Sequence, residues 1–357
     1  MERRWLRFYD EGVPRHLEYP AAPAHHLLAN SAALWPDRIC TNFMGRRLSY
    51  GRLEDLASRL AAGAAGAGLK PGDRVVLLLP NCPQFLIAAY GLWAAGAVLV
   101  PVNPLSSVRE LHFFLSHTEA SSVVTIPLFL RKAGEAAAGT AVKSVVLARL
   151  ADYLPFPYNV LAGWGEGKRV RAPYLPPAIR LVEFSDLVSE PPGGALNESG
   201  EDVEAPAAIL YSGGTTGTAK GVVLSHANLV ANARQVAAWG HLEEGGVEKM
   251  LAVLPLFHGF GMSTHMNAPV LAGMEVILVP RFSAKGVART IHKERPTFFC
   301  GVPAMFAALG SAPNLPRCDF SSLKGIFVGA APLPPAVKQD FETRTGGRMI
   351  EGYGLTE

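Results

Sequence analysis

The segment with the clearest capacity for chemistry is YSGGTTGTAKG, residues 211–221. Its glycines let backbone N–H groups approach an anion closely, and its hydroxyls and one lysine add further donors and a positive charge. These features predict a polyphosphate-binding loop whose spacing differs from both GxxxxGK and GxGxxG loops. A flexible Gly/Thr-rich turn is the alternative, although such turns rarely combine these residues directly after a buried strand. The predicted ligands are Ser212, Gly213, Gly214, Thr215, Thr216, Gly217 and Lys220.

A second candidate is His258, in PLFHGFG at residues 255–261. A lone histidine after an apolar run is usually structural, but the glycine that follows favours a strand end that presents the ring at a site. We expect this ring to form hydrogen bonds on the substrate side and not to act as a general base. Candidates for the apolar wall of a substrate tunnel, with ordinary core packing as the alternative, are Phe260, Met262, Met266, Val302 and Met305.

Buried strands and amphipathic helices alternate along the chain and must position both segments. Short runs of Val, Ile, Leu and Phe without polar alternation are typical of parallel sheets covered by helices, so we predict an α/β fold with mostly parallel sheets. The predicted strands are 74–79, 97–102, 122–125, 143–147, 207–211, 250–254, 275–279, 297–300, 323–328 and 348–350. Helical stripes lie at 53–60, 229–237 and 334–343, the second between the caps Ser225 and Gly240.

Two stretches break this alternation. Residues 190–206, with PPGG and an acidic run, are interpreted as a surface linker between two βα-rich subdomains at 1–195 and 196–357, the second of which carries the glycine-rich loop. Residues 150–177 are interpreted as a surface excursion that packs its own aromatic side chains. These side chains are Tyr153, Phe156, Tyr158 and Trp164. No internal repeat is visible.

Composition and charge exclude several classes of protein. The 357 residues carry a formal charge of only +3 without a concentrated basic face, so a nucleic-acid surface is not expected. Four separated cysteines argue against a zinc site or a disulfide framework and favour a reducing cytosol. Residues 85–102 are uncharged, but Pro83 at a helix start and interruptions at Gly91 and Gly96 favour a buried helix and strand over a membrane span.

Four motifs follow one another along the chain: YSGGTTGTAKG, PLFHGFG, GAAPL at residues 329–333 and EGYGLTE at residues 351–357. Together they resemble the motifs of the AMP-forming adenylating enzymes, which include acyl-CoA synthetases, coumarate ligases, firefly luciferase and peptide-synthetase adenylation domains. Ala219 stands where the family usually has proline, which should loosen the loop slightly. The opening half is also similar, with LSYGRL at 48–53, LKPGDRV at 69–75 and PVNPL at 101–105, so the resemblance covers essentially the whole chain.

This resemblance implies that a carboxylate attacks the α-phosphorus of ATP to give acyl-AMP and pyrophosphate, after which the thiol of CoA displaces AMP. The loop would hold the β- and γ-phosphates, Glu357 would bind Mg²⁺, Thr356 would contact phosphate and orient the carboxylate, and Tyr353 would stack on adenine. The implied catalytic residues are Lys220, His258, Thr356 and Glu357. The implied nucleotide contacts further include Gly329, Ala330, Ala331, Glu351, Gly352 and Gly354.

The residue after Phe257 indicates which carboxylic acids could be the substrate. Amino-acid-activating relatives carry aspartate there, whereas this chain has His258, so a buried substrate ammonium would lack its counter-ion. Residues 149–161, RLADYLPFPYNVL, resemble an insertion in bacterial long-chain fatty-acid ligases. A long-chain fatty acid is therefore preferred over medium-chain or aryl acids. A fatty acyl-AMP ligase that serves a carrier protein and a non-catalytic ATP-binding protein stay open as alternatives.

Members of this family continue beyond EGYGLTE with an aspartate that binds the ribose, a hinge and a mobile lid domain. We therefore expect the C-terminal lid domain to be absent from this chain and to be its intramolecular partner in a complete enzyme. Without it, the chain should bind ATP weakly and turn over little or nothing. The other expected partners are small molecules (acid, ATP and CoA) and no nucleic acid; peripheral membrane association is left open, and the expected location is the cytoplasm.

Overall fold

The computed structural model describes residues 3–170, 175–191, 202–212, 219–242 and 245–357. Two seven-stranded sheets flanked by helices confirm the predicted α/β class. The strands are β1 Ile39–Phe43, β2 Arg46–Ser49, β3 Arg74–Leu78, β4 Val98–Pro101, β5 Ser122–Thr125, β6 Ser144–Leu147, β7 Arg180–Glu183, β8 Pro206–Ser212, β9 Lys220–Ser225, β10 Lys249–Ala252, β11 Glu275–Leu278, β12 Phe298–Gly301, β13 Gly325–Val328 and β14 Met349–Glu351. The α-helices are α1 His26–Leu34, α2 Tyr50–Gly66, α3 Pro83–Ala94, α4 Val108–His117, α5 Leu130–Ala137, α6 Tyr158–Arg169, α7 Phe184–Leu187, α8 His226–Trp239, α9 Gly259–Met262, α10 Ala268–Leu271, α11 Ala284–Glu294, α12 Pro303–Gly310 and α13 Pro335–Thr345.

The two sheets share one topology. Sheet 1 has the order β7-β6-β5-β3-β4-β8-β9, and sheet 2 has the order β14-β13-β12-β10-β11-β1-β2. The run β4-β3-β5-β6-β7 thus corresponds to β11-β10-β12-β13-β14. All pairings are parallel except the terminal pairs, β8 with β9 and β1 with β2. The sheets are therefore mostly parallel, as predicted, and they repeat an architecture that the sequence does not display as a repeat.

Each of the two predicted subdomains, residues 1–195 and 196–357, contributes a strand to the sheet that the other subdomain mainly forms. Strand β8 comes after the boundary between them but pairs with β4 of sheet 1, with Leu99 opposite Ala208. Strand β1 comes before it but pairs with β11 of sheet 2, with Thr41 opposite Val276. The physical reason is that β4 and β11 each offer a free parallel edge, which a distant strand covers. Of the expected linker, residues 192–201 lie outside the described part of the chain.

The uncharged stretch 85–102 forms a buried helix and strand, as predicted: α3 is followed by β4. Gly96 ends the helix with a φ of +77°. Gly91, in contrast, does not interrupt α3, so that prediction was wrong. A Cβ atom there would lie 2.6 Å from the carbonyl oxygen of Ala57, so glycine allows α2 and α3 to approach closely. No helix among the described residues is long and apolar enough to cross a membrane.

The stretch 150–177 folds in part as a helical hairpin, in which a 3-10 helix at Leu150–Tyr153 precedes α6. Tyr153 is buried, but Phe156, Tyr158 and Trp164 are exposed. The prediction that this stretch packs its own aromatic side chains was therefore wrong for Phe156 and Tyr158. Residues 171–174 lie outside the described part.

One apolar core joins the two sheets. It includes Leu99 of β4 and Leu210 of β8 from sheet 1, and Val276 of β11 from sheet 2. The caps predicted for α8 are also present: the Ser225 hydroxyl accepts from the N–H of Asn228, and Gly240 ends the helix. This shared packing sets the carboxyl ends of the strands, where the candidate site residues lie.

Candidate active site

The carboxyl ends of β3 and β10, corresponding strands of the two sheets, are tied together by the buried side chain of Asn81. Its Nδ2 donates to the carbonyl oxygens of Ala252 at 3.1 Å and Leu254 at 2.9 Å. Its Oδ1 accepts from the N–H of Leu256 at 2.9 Å. These bonds fix the segment that leads from β10 to His258. Asn81 was not singled out in the sequence; an amide between a buried strand and Pro83 was the available signal.

His258 is the residue before α9 and lies six positions after Ala252, the last residue of β10. Its Nδ1 accepts a hydrogen bond from the N–H of Phe260 at 3.2 Å. This bond assigns the proton of the neutral ring to Nε2, which becomes a donor. The side chain keeps solvent exposure, and partial desolvation lowers its pKa below the usual value for histidine. The neutral ring is therefore favoured near pH 7 and suits a hydrogen-bonding role.

His258 and Val302 follow β10 and β12, the two strands between which the strand order of sheet 2 reverses. In open α/β sheets, ligands bind outside the carboxyl ends of the strands at such a reversal. Phe260 and Val302 are partly buried and pack against the same apolar cluster. Met262 is almost fully buried in the core shared by the sheets, so its geometry matches the alternative of core packing.

The GAAPL segment meets the aromatic–histidine segment at Gly329. A Cβ atom on Gly329 would lie 3.1 Å from the ring of Phe260 and 3.3 Å from the carbonyl oxygen of Gly352. Only glycine allows three backbone segments to converge here without displacing the ring. The next residue, Ala330, has a φ of +66°, a left-handed conformation that costs an alanine energy and concentrates at functional sites. Ala330 and Ala331 are exposed beside this junction.

The EGYGLTE segment continues β14 and is joined by one hydrogen bond to the end of β13 and by another to GAAPL. The N–H of Gly352 donates to the carbonyl oxygen of Val328 at 2.7 Å, and the carboxylate of Glu351 accepts from the N–H of Leu333 at 2.9 Å. Tyr353 is 91% exposed, so its ring face is accessible to a base. Gly354 is exposed and Thr356 is partly buried.

The described residues offer too few ligands to hold a magnesium ion by themselves, so magnesium fits this site only when a polyphosphate supplies further ligands. The described residues contain no group of three His, Cys, Asp or Glu side chains that could cage a metal. Glu357 offers one exposed carboxylate. Mg²⁺ is commonly held by one or two carboxylates together with substrate phosphates and waters, so this single carboxylate is compatible with that mode of binding.

The glycine-rich loop is described only at its two ends. The predicted ligands Gly213, Gly214, Thr215, Thr216 and Gly217 lie outside the described residues. Ser212 at the end of β8 pairs with Lys220 at the start of β9, so the antiparallel pair holds both ends of the loop side by side. A Cβ atom on Gly259 would lie 3.4 Å from Leu210, which places β8 against the turn that follows His258.

Tyr211, the residue before Ser212, is anchored by helix α4. Its hydroxyl and the Nδ1 of His117 form a 2.7 Å hydrogen bond, and its ring centroid lies 4.3 Å from that of Phe114. Desolvation raises the pKa of Tyr211 to about 12, which keeps the hydroxyl protonated. His117 lies in no motif that the sequence displays, so its contact with Tyr211 is a finding of the structure.

Comparisons with known proteins agree with this geometry. A model of the AMP-binding enzyme family matches residues 28–357. A long-chain-fatty-acid–CoA ligase of Bacillus subtilis (strain 168) is 36% identical over 357 residues, which are 100% of this chain and 64% of that relative. The chain therefore spans less than two thirds of the length of this relative.

Two solved structures share the fold. A long-chain-fatty-acid–CoA ligase from Archaeoglobus fulgidus aligns with a TM-score of 0.78 and 24% identity, covering 98% of this chain and 67% of that one. An anthranilate CoA ligase in complex with anthranoyl-AMP aligns with a TM-score of 0.78 and 22% identity, covering 95% of this chain and 60% of that one. With the family match over residues 28–357, these findings show that the chain belongs to the AMP-binding enzyme family.

Proposed function

We propose that this chain forms the ATP- and acid-binding part of an AMP-forming acid–CoA ligase whose acid is a long-chain fatty acid. The observation that carries the proposal is the convergence of three motifs at the carboxyl edge of sheet 2: Phe260 of the histidine motif, Gly329 and Gly352. The turn at Gly259 adjoins β8, which leads into the phosphate loop. Family membership and the name of the Bacillus relative support the reaction and the choice of acid.

Each group has a role that suits its position. Lys220 and the loop beside it would hold the β- and γ-phosphates, while buried Gly329 and the exposed residues Ala330 and Ala331 would border the adenine beneath Tyr353. Thr356 would orient the reacting carboxylate against the phosphate. Mg²⁺, held by Glu357, would neutralise charge on the phosphates. The Nε2 proton of His258 would donate a hydrogen bond on the acid side, which the lowered pKa favours because the ring stays neutral.

The acyl chain would pass Phe260 and Val302, which present partly buried apolar surface beside His258. Met262 would contribute to this wall only from the core behind it, since its side chain is buried. CoA is the proposed acceptor. A further C-terminal domain is the proposed partner that completes the site, so the chain alone should bind ATP weakly and turn over little.

Acyl-sulfamoyl-adenosines, stable mimics of acyl-AMP, test the proposal on the 357-residue chain by isothermal titration calorimetry. The long-chain mimic should bind more tightly than the medium-chain, benzoyl and coumaroyl mimics. Tighter binding of an aryl mimic would overturn the long-chain assignment, and failure of every mimic to bind would overturn adenylate formation. Lys220→Ala is the matched control: it should weaken Mg·ATP binding but leave binding of the mimics, which lack β- and γ-phosphates, unchanged.

A further inference from the structure

A cavity lies at the amino ends of the parallel strands of sheet 1, on the face that packs against helix α2. Its volume is about 120 Å³. It is enclosed by the C-terminal part of α2, by α3 and α7, and by strands β3, β5, β6 and β7. The candidate active site occupies the carboxyl ends of the strands, so this cavity is a separate place in the fold.

The inner part of the cavity is apolar. Val75, Val124 and Val146 belong to three adjacent strands, Leu60 and Leu92 belong to α2 and α3, and all five side chains are buried. Protein interiors leave few voids larger than a water molecule, so a cavity of this size between branched side chains is unusual. An apolar cavity of about 150 Å³ takes up benzene, so this one has room for about four to six carbon atoms.

A row of polar residues crosses the sheet at the outer end of the cavity. Strand pairing places Ser122 opposite Ser144 and Ser144 opposite Arg180, and all three line the cavity. The hydroxyl oxygens of Ser122 and Ser144 lie 2.8 Å apart and form one hydrogen bond. Since each hydroxyl carries one proton, this bond leaves one proton of the pair to donate to a ligand.

Positive charge predominates around this row. The guanidinium of Arg180 donates to the carbonyl oxygen of Ala67 at 3.1 Å, which holds the side chain toward the end of α2 and leaves further N–H donors. Lys70 and Lys143 are further basic residues of the lining. Asp73 is the one acidic residue among the described residues that line the cavity, and its carboxylate already accepts from the N–H of Lys70 at 2.9 Å. Three basic residues against one acidic residue favour an anion.

We propose that this cavity binds a small monocarboxylate whose apolar group has about four to six carbon atoms. The carboxylate accepts from the guanidinium of Arg180, whose planar fork matches its two oxygens, and from the remaining hydroxyl proton of Ser122 and Ser144. The hydrocarbon lies against Val124 and Val146. This site does not depend on the reaction proposed above, because its residues are at the opposite ends of the strands.

Methyl NMR on the 357-residue chain with isotope-labelled valine tests the site, with sodium hexanoate as the probe. The methyl signals of Val124 and Val146 should shift with a Kd of about 1 mM, as expected for so few atoms. Val302 reports separately on binding beside His258. Shifts at Val302 without shifts at Val124 and Val146 would place hexanoate beside His258 and overturn the proposal.

A matched ligand and matched variants test the recognition. Hexanamide has nearly the same shape without the charge and should bind at least about ten-fold more weakly. Arg180→Gln should weaken hexanoate binding at least about ten-fold, since a charge-assisted hydrogen bond is lost. Arg289→Gln removes an exposed arginine of α11 and should leave the titration unchanged. Ala64→Leu adds bulk to the lining and should abolish the shifts.

The comparison of hexanoate with hexanamide does not require any variant to fold. Equal binding of the two ligands, or no shift at Val124 and Val146 up to about 20 mM hexanoate, would overturn the proposal. Unchanged affinity in Arg180→Gln would overturn it as well, as would full binding by a folded Ala64→Leu chain.

Discussion

Among single residues, His117 and Tyr211 show how a helix can position the ends of the glycine-rich loop that we propose to bind phosphate. The hydrogen bond between their side chains lies immediately before Ser212, and Tyr211 pairs with Gly221 across the antiparallel strands. Both ends of the loop therefore move with α4. His117 is itself stacked on Phe113, with ring planes 13° apart, so its orientation is restrained.

Removing this hydrogen bond should weaken nucleotide binding. His117→Phe keeps a ring on Phe113 but removes the nitrogen, and Tyr211→Phe removes the hydroxyl. Each should raise the Kd for Mg·ATP by about 2- to 10-fold, since one hydrogen bond contributes about 0.5–1.5 kcal/mol. Isothermal titration calorimetry on the two single variants and the double variant measures the coupling free energy between His117 and Tyr211 in Mg·ATP binding. Losses that add fully in the double variant, or unchanged affinity in either single variant, would contradict a shared positioning role.

Asn81 is the residue on which the geometry before His258 depends most directly. Asn81→Ala leaves the N–H of Leu256 and two carbonyl oxygens without their side-chain partner in a buried setting. We expect a loss of about 1–3 kcal/mol in the free energy of unfolding. Native-state hydrogen exchange should show lost protection of the Leu256 amide. The amide of Met262, which donates to the His258 carbonyl oxygen, serves as the internal control. Unchanged exchange at Leu256 would contradict the role.

At the level of elements, helices α2 and α3 can approach closely because Gly91 has no side chain. The Cβ atom of Gly91→Ala would lie 2.6 Å from the carbonyl oxygen of Ala57, a backbone atom that cannot move aside easily. We expect this variant to lose about 1–3 kcal/mol of stability through overpacking. Gly66→Ala, at the end of α2, would meet no atom within 4 Å and should be neutral or slightly stabilising. Denaturant unfolding measures the free energy of unfolding of both variants. If Gly91→Ala were as stable as Gly66→Ala, close packing at Gly91 would be contradicted.

The sequence predicts strands well where they form continuous apolar runs. Strand β12 is wholly buried and forms such a run. Strands β1, β2 and β7 were not predicted: β2 and β7 lie at sheet edges and carry Arg46 and Arg180, and the buried β1 has its apolar run interrupted by Thr41 and Asn42. The sheet that β8 joins could not be predicted either, because periodicity describes local burial and carries no information about distant pairing partners.

The same limit applies to the site. Motif resemblance identified His258 and Gly329, and the structure brings their segments together through Phe260. Asn81 and His117 were missed because their partners lie far along the chain, 175 positions away for Leu256 and 94 for Tyr211. Neither residue has a neighbouring motif that would mark it. The roles of Thr356 and Glu357 remain predictions that binding measurements must test.

For the whole molecule, buried histidines predict a dependence of stability on pH. Burial lowers the pKa of His226 to about 4, and burial followed by neighbouring histidines lowers that of His25 to about 3. Desolvation lowers the pKa of His265 to about 3. His226 also accepts a hydrogen bond from the N–H of Ala24 at 3.1 Å, which requires an unprotonated Nδ1. The folded chain therefore holds these rings neutral.

Since the unfolded chain binds these protons below a pKa near 6.5, the stabilisation is complete above that value and is lost as the pH falls toward 3–4. Between about pH 7 and pH 5 we expect a loss of about 2 kcal/mol for each histidine. Denaturant unfolding at several pH values in this range measures the slope, that is, how steeply the free energy of unfolding falls as the pH is lowered. His226→Asn should flatten it, whereas the control His16→Asn, at an exposed position, should not. An identical slope in His226→Asn would contradict the assignment.

The pairing of β1 with β11 has a consequence for the order in which the chain becomes protected during synthesis. The amide of Asn42 in β1 bonds the carboxylate of Glu275 in β11, 233 positions later. At about 5–20 residues per second, a ribosome needs about 12–47 s to supply that partner. Until then the apolar side chains of β1, such as Phe43, lack the sheet that buries them. The nascent hairpin of β1 and β2 is thus expected to expose apolar surface to chaperones for that time.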